Sequence, residues 1–496
     1  MRSDLSFTAE DLAEFAQASR DTNPLHRDAA YARATAFGEP VVYGSLTALT
    51  ALGQLPLRPG HTLQRLSAEF RSPLFTGISY QAEVESEGPK SQIRVYDGRR
   101  LVLRLSAEFA AGEPASVPGP WPAHGEQESG EPAVLAVDDL AVGMTFAGRY
   151  SPREPALRAL TSRLGLAARG IAEPQAAALL ACSYVIGMRI PGRNALFYSA
   201  QLDWTQPAVA GEHGDYFVRI ESLHKPLGLV TLRAEFAAPL SCTAELKSFV
   251  RHPIRRPGLD DAAVSRDLFK SRVAVVVGAS RGLGAAIAEA LALAGCTVVG
   301  TYLHSVEAVS EMARTLGARG ALFEPHRADA MDPQAMAALA ADVKARHGGI
   351  DLLVCTACPP LHALSIDSPS LDRILEHVSD SMAMVATPLS CLLGHLNDRQ
   401  GTVVLVSSSA VNAPPAEWPH YVAAKRAIEG LGETAAVAHK AVRVCVVRPP
   451  KLLTELVNTP LGRQGAVDPG AYAAALVTAL ANGTEDAGLG LRKLGA

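Results

Sequence analysis

The stretch SRDTNPLHRDAAYARATAFGEPVVYGSL, residues 19–46, carries Asp21 and His26 five positions apart, with Asn23-Pro24 between them. Proline fixes its own φ and drives the residue before it out of the helical region, so these residues form a loop after the helical pattern AEDLAEFAQASR. Such a loop can aim a carboxylate and an imidazole at one point. There they can orient a water and move protons to or from a carbon next to a carbonyl. Downstream, Gly44-Ser45 opens the apolar helix SLTALTALGQL. Backbone N–H groups at that start, at the positive end of the helix dipole, suit an enolate oxygen.

A second constellation lies far along the chain. VVVGASRGLG follows an apolar strand and opens the helix GAAIAEALALAG, with glycines at Gly278, Gly282 and Gly284. Glycine permits the tight turn and lets backbone N–H groups approach a pyrophosphate, which makes Gly278, Ser280, Arg281, Gly282, Leu283 and Gly284 the candidate cofactor cradle. In VSSSAVNAPPAEWPHYVAAKRAIEGL, Tyr421 and Lys425 stand at i and i+4 on one helix face, and Ser408 lies thirteen residues before Tyr421. An ammonium beside a phenol lowers the phenol's pKa and suits it to act as an acid near neutral pH.

The elements that must position these groups fall into three segments. The Pro-, Gly- and Glu-rich stretch AAGEPASVPGPWPAHGEQESGEP and the basic-then-acidic stretch KSFVRHPIRRPGLDDAAVSRDLF read as linkers. The expected organisation is a first domain over 1–111, a linker over 112–134, a related second domain over 135–240, a linker over 241–269 and a third domain over 270–496. The first two segments share a layout: an apolar helix, Pro-Gly, and an alternating strand ending in Pro and then Gly. Each closes on a similar strand, LVLRLSAEFAA and LVTLRAEFAA, so we expect a duplication with a period of about 130 residues. Period-2 alternation in both predicts antiparallel strands beside one long helix, an α+β arrangement. In the third segment continuous apolar strands (RVAVVVGA, GCTVVGTY, GIDLLVCTA, GTVVLVSSS, VRVCVVRP) alternate with Ala-rich helices, which predicts a parallel sheet covered on both faces.

The D-x-N-P-L-H motif and the Val-Tyr-Gly-Ser-Leu helix start resemble the MaoC-like, (R)-specific enoyl hydratases of the hot-dog fold, over roughly residues 5–110. The resemblance implies that Asp21 and His26 are the catalytic pair, that Asn23 and Pro24 shape the loop, and that the Gly44 N–H takes a thioester carbonyl. Arg20 stands where the family has Gly before the Asp, and Tyr43 where it has His before the Gly. The second segment lacks the motif. It is expected to be a hot-dog repeat that has lost its catalytic loop and completes the pocket of the first.

The glycine loop, Ser408 and Tyr-x-x-x-Lys together resemble the short-chain dehydrogenases/reductases, over roughly residues 270–485. The resemblance implies a Rossmann-type doubly wound sheet, Tyr421 as proton donor, Ser408 on the substrate carbonyl and Lys425 on the nicotinamide ribose. It also implies Asp329 on the adenine and Thr454 on the carboxamide. The stretch GTYLHS after the second strand has no acid for a 2′-hydroxyl, and Arg281 can meet a 2′-phosphate, so NADPH is the expected cofactor. The family's N-N-A-G is Cys-Thr-Ala-Cys at 355–358, and its helix Asn is replaced in LEHVSDSM, where Val378 or Ser379 falls.

The expected fold is thus an α+β double hot-dog followed by an α/β Rossmann-type domain. The two chemistries share an intermediate, because reduction of a 3-ketoacyl thioester gives the 3-hydroxyacyl thioester that a MaoC-like site dehydrates. The leading reading is an NADPH-dependent ketoreductase/dehydratase acting on CoA- or acyl-carrier-protein-bound acyl groups in fatty-acid-like or polyketide-like synthesis. A hydratase/dehydrogenase of β-oxidation, and a hot-dog dehydratase joined to an inactive NADP(H)-binding scaffold, are the alternatives. A net charge of -4 argues against a nucleic-acid partner, and seven scattered cysteines read as reduced thiols with no metal site. No apolar run approaches the ~20 residues of a membrane span, and the charged start lacks a secretory h-region, so a cytoplasmic location is expected. The resemblance to the short-chain reductases implies a homo-oligomer, a dimer or tetramer.

Overall fold

The computed structural model describes residues 1–112, 121, 130–205, 215–252 and 258–495. The chain divides into two units, Met1–Pro253 with Thr459–Leu461, and Ile254–Asn458 with Gly462–Ala496. Most of the expected 112–134 linker lies outside the described residues.

Among the described residues of the first unit, alternation of apolar and polar residues produces ten strands, most of which bury one face. They are β1 (Arg2–Leu5), β2 (His61–Phe70), β3 (Tyr80–Glu87), β4 (Lys90–Asp97), β5 (Arg100–Ala111), β6 (Thr145–Gly148), β7 (Ala195–Asp203), β8 (Tyr216–His224), β9 (Leu229–Phe236) and β10 (Cys242–Val250). They form one sheet joined at its middle by antiparallel pairing of β2 with β7, from Arg65↔Asp203 to Glu69↔Ser199. Outward from that seam the order is 2-5-4-3-1 on one side and 7-10-9-8-6 on the other. The two successions are the same, each strand matched by the one five places later in the chain, as an internal duplication requires.

This topology corrects the sequence reading at one boundary. Residues 242–250, assigned to a linker over 241–269, are a central strand paired with both β7 and β9. The counterpart of β5 is therefore β10, and LVTLRAEFAA matches β4 by topology. The alternation B-B-B-i-B-i-B-i-B along β10 is that of a half-buried strand, which the basic residues after it masked. Residues 253–257 of the same expected linker lie outside the described residues.

The helices of this unit are α1 (Ala9–Ser19), the short α2 (Pro24–Arg27) and α3 (Ala29–Arg33), α4 (Gly44–Leu52), α5 (Glu154–Arg163) and α6 (Glu173–Tyr184). α6 packs against α1, α4 and α5. Residues Pro174–Tyr184 are all buried, as expected of a helix that is apolar on every side. One π-helical turn, Val185–Arg189, continues it.

The second unit is built on β11 (Val273–Val277), β12 (Thr297–Tyr302), β13 (Phe323–Arg327), β14 (Leu352–Cys355), β15 (Thr402–Val406), β16 (Arg443–Val447) and β17 (Leu491–Lys493). The sheet order is 3-2-1-4-5-6-7 counted within the unit, parallel except for β17. All five residues of β11, VAVVV, are buried because helices cover both faces. These helices are α7 (Gly282–Leu293), α8 (Val306–Ala318), α9 (Pro333–His347), α10 (Leu371–Asp398), α11 (Pro419–Ala438) and α12 (Pro469–Asn482). The order reverses between β11 and β14, so the C-terminal ends of these strands leave the crevice where such sheets bind ligands. No helix among the described residues is long and apolar enough to cross a membrane.

Candidate functional sites

In the first unit, α1 begins at a Thr8–Asp11 capping box and ends at Arg20, whose φ of 58° is left-handed. The chain then enters the loop that carries Asp21. The Asp21 side chain is 1% exposed. Its Oδ1 accepts the Asn23 N–H at 3.1 Å, and its Oδ2 accepts the Ser183 hydroxyl at 2.7 Å. Asn23 caps α2 by accepting the Leu25 N–H, and its amide donates to the Gly187 and Gly192 carbonyls at 2.9 and 3.0 Å. The first repeat's loop is thus seated on the end of α6 and its π turn. A Cβ on Gly187 would lie 2.5 Å from Asp21 Oδ2, so only glycine admits the carboxylate there.

His26 follows on α2. Its Nδ1 lies 2.7 Å from the Val41 carbonyl. A carbonyl can only accept, so Nδ1 carries the proton and Nε2 is left as a lone-pair acceptor. No hydrogen bond joins His26 to Asp21. Tyr43 links them instead: its ring stacks on His26 with centroids 3.8 Å apart, and its hydroxyl donates to the Asp21 carbonyl at 2.8 Å. Gly44, the next residue, opens α4 under the Phe70 ring, which a Cβ would approach to 3.1 Å.

Burial drives the electrostatics. Desolvation raises the Asp21 carboxyl to about 6, against the lowering effect of its bonds from Ser183 and Asn23. Desolvation lowers the His26 imidazole to about 4, aided by the Arg251 charge and opposed by the Val41 bond. At neutral pH the pair is a carboxylate and a neutral imidazole, a combination that can take and return protons.

In the second unit, the loop from Gly278 to Gly284 joins β11 to α7. Gly278 has φ +88°, and a Cβ there would lie 2.8 Å from the Ala357 nitrogen. A Cβ on Gly284 would lie 2.2 Å from the Gly278 carbonyl oxygen. Thr356, within the Cys-Thr-Ala-Cys departure, donates to the Val277 carbonyl at 2.7 Å and so braces the loop. Ser280, Arg281 and Leu283 are half-buried around the start of α7. Thr454 faces this turn, with its side chain 3.5 Å from the Cβ position of Gly282. Asp329 follows β13, its Oδ1 accepting the Met331 N–H at 2.9 Å.

Ser408 lies two residues past the end of β15 and accepts the Ala410 N–H at 3.2 Å. On α11, Tyr421 is half-buried and Lys425 is 5% exposed. Lys425 Nζ donates to the Val406 carbonyl at 3.0 Å and lies 5.5 Å from the centre of the Tyr421 ring. The glycine loop, Thr356, Ser408, the Lys425 anchor and Thr454 therefore all gather at the C-terminal ends of parallel strands. Val378 and Ser379, expected where the family has its helix Asn, are half-buried and exposed; the buried residue at that point of α10 is His377.

Sequence reasoning missed Ser183 and Gly187. A serine in the apolar run AAALLACSYVIG was a signal for the first, since a buried polar group needs a partner.

Two family models match separate parts of the chain. Residues 1–103 match the MaoC like domain, and residues 272–462 match the short chain dehydrogenase family. Dehydrogenase/reductase SDR family member 2, mitochondrial, from Homo sapiens is 34% identical over 207 residues, spanning 40% of this chain and 72% of the human protein. The 3-oxoacyl-(acyl-carrier-protein) reductase FabG of Escherichia coli (strain K12) is 27% identical over 197 residues, 38% of this chain and 77% of that protein. Among solved structures, a metagenomic short-chain oxidoreductase in complex with NADP has 30% identity and a TM-score of 0.36, covering 43% of this chain and 92% of its own. Through its C-terminal unit the chain belongs to the short-chain dehydrogenase/reductase family, and it carries a MaoC-like dehydratase domain at its N-terminus.

Proposed function

We propose that this chain reduces 3-ketoacyl thioesters with NADPH and dehydrates the resulting 3-hydroxyacyl thioesters to trans-2-enoyl thioesters, with the acyl group on CoA or an acyl carrier protein. In this reading residues 1–111 are a hot-dog domain that holds the live dehydratase loop. A second hot-dog runs from residue 135 through β10, and the reductase occupies 270–496.

The observation that carries the dehydratase half is the seating of the Asp21 loop on the second repeat, through Ser183 and the Gly187 and Gly192 carbonyls. The second repeat both buries the loop and supplies the partners of Asp21 Oδ2 and the Asn23 amide, so the buried polar groups of the loop are satisfied only across the two repeats. Asp21 takes the proton from the carbon next to the thioester carbonyl and returns it to the departing hydroxyl, which leaves as water accepted by His26 Nε2; hydration runs the same steps in reverse. The Gly44 N–H, at the start of α4, is the donor for the carbonyl oxygen as it gains charge.

For the reductase half, NADPH would supply the hydride. The side-chain-free approach at Gly278, Gly282 and Gly284 fits a pyrophosphate at the start of α7. Tyr302, Leu303, His304 and Ser305 bring no carboxylate after β12, and Arg281 stands in the loop, which supports the phosphorylated cofactor. Tyr421 donates its proton to the ketone oxygen that Ser408 holds. Lys425, fixed by the Val406 carbonyl, orients the ribose and stabilises the phenolate. The Escherichia coli relative, named as a 3-oxoacyl reductase, supports this choice of substrate.

The test is purified protein with NADPH and a panel of 3-ketoacyl thioesters on CoA and on carrier protein, products read by mass. Uptake of two hydrogens followed by loss of water is expected. NADPH binding with no oxidation across the panel overturns the reductase half.

A further inference from the structure

Along the chain the arginines of the first unit are scattered, but the fold brings Arg193 and Arg251 to one point beside the dehydratase loop. Arg251 follows the last residue of β10, and its backbone N–H donates to the Asn194 carbonyl at 2.8 Å. Its Nη2 donates to the Arg193 carbonyl at 2.7 Å and to the Tyr31 hydroxyl at 3.2 Å, and its Nε donates to the Ala195 carbonyl at 3.4 Å. The Tyr31 ring lies under the guanidinium, its centre 5.6 Å from Cζ, and its hydroxyl donates to the same Arg193 carbonyl at 3.2 Å.

This cluster stands one residue from the seat of the catalytic loop. Arg193 follows Gly192, whose carbonyl takes the Asn23 amide. Tyr31 is on α3, which Asp28 joins directly to α2 and His26. The Arg251 charge reaches the His26 ring and helps keep it neutral. What the cluster lacks is negative charge. Every partner of Arg251 is a neutral oxygen, and among the described residues no carboxylate pairs with it. Arg193 pairs with Glu131, whose side chain is 88% exposed, so that bond is screened and weak. Nη1 of Arg251 and Nη1 of Arg193 have no protein partner among the described residues, and both keep solvent-accessible surface. A half-buried guanidinium among neutral groups is costly, and an anion that binds it offsets the cost. The planar fork of arginine matches phosphate oxygens.

We propose that Arg193 and Arg251 form a phosphate subsite of the dehydratase, which takes the single phosphate that ends the pantetheine arm of the thioester. That phosphate is common to CoA and to a carrier protein, so the subsite reads the arm and not the nucleotide. The inference rests on the dehydratase reading and says how its substrate is held.

The experiment follows hydration of crotonyl thioesters by the full chain, through loss of the enoyl absorbance, with the acyl group on pantetheine, phosphopantetheine, CoA or carrier protein. For wild type, KM for the phosphopantetheine thioester should lie about 10- to 100-fold below that for pantetheine, the scale of charge-assisted hydrogen bonds. CoA should add little more. Arg251→Gln should raise KM for the three phosphate-bearing thioesters far more than for the pantetheine one, with kcat less affected. Arg251→Lys, which keeps the charge, should retain part of the difference. Arg193→Gln should act as Arg251→Gln does, and it decides the question if the Arg251 variants do not fold. Equal wild-type KM with and without the phosphate overturns the inference and leaves the dehydratase reading in place. Variants that raise all four KM values alike, as loss of the α3 anchor alone would, do the same. A CoA preference over phosphopantetheine that the variants abolish assigns the arginines to the nucleotide and also overturns it. A wild-type chain that hydrates none of the four thioesters overturns the dehydratase reading and this inference with it.

Discussion

Ser183 donates its hydroxyl to Asp21 Oδ2 at 2.7 Å, so a side chain of the second repeat holds the carboxylate of the first, 162 positions away. Hydrogen bonds to a carboxylate favour its charged form, and here the bond opposes the desolvation that raises Asp21 to about 6. Ser183→Ala removes that opposition, so the Asp21 carboxyl must move further up. In the proposed mechanism dehydration needs the ionised form and is lost as pH falls through this value. The acid limb of kcat/KM for 3-hydroxyacyl dehydration is expected to shift to higher pH, with the plateau nearly kept. An unmoved acid limb contradicts the role given to this bond.

The same burial makes Asp21 a liability to stability. Its folded-state value of about 6 lies above the ordinary 3.8. Below pH ~4 both states are protonated and burial costs nothing. As pH rises from there to 6 the unfolded chain releases its proton and the folded one resists, so stability falls and the cost stays in full above pH 6. Two units correspond to about 3 kcal/mol. Asp21→Asn is therefore expected to abolish dehydration while raising Tm at pH 8, with little gain at pH 4. Ketone reduction by the same variant should be untouched. Thermal denaturation of both proteins across pH checks the sign, and the difference between them isolates Asp21 from His26, whose lowered value acts the opposite way.

How much of this was legible in the sequence depends on whether the partners are near in the chain. Asp21 and Asn23 sit in one loop and His26 on the one-turn helix α2 that Pro24 opens directly after it, and Tyr421 and Lys425 sit one helical turn apart, so spacing alone brings each set together. Ser183 and Gly187 reach Asp21 only through the packing of α6 against α1, which no local spacing encodes. β10 was hidden for another reason: its alternation runs straight into the basic stretch that follows, and composition averaged over both looks like a linker.

Gly187 tests the seating of the loop from the other side. An added Cβ would stand 2.5 Å from Asp21 Oδ2 and 2.6 Å from Oδ1, while Ser183 and the Asn23 N–H hold the carboxylate where it is. Gly187→Ala is expected to destabilise the N-terminal unit by roughly 1–3 kcal/mol, the usual cost of overpacking. It should also depress dehydration far more than reduction. Equal loss of both activities in a folded variant would mean that the two sites are not separable as drawn.

Gly284 gives the corresponding separation for the reductase. A Cβ there would meet the Gly278 carbonyl oxygen at 2.2 Å and Thr356 Oγ1 at 2.4 Å, and the first of these is backbone that cannot swing aside. Gly284→Ala must push the start of α7 away from the end of β11, spoiling the cradle while leaving Tyr421 and Lys425 on their own helix. NADPH fluorescence titration is expected to show at least tenfold weaker binding, an equivalent of about 1.4 kcal/mol. Reduction should fall accordingly, with dehydration of a supplied 3-hydroxyacyl thioester at the wild-type rate. Wild-type NADPH affinity in this variant would remove the glycine loop from the cofactor site.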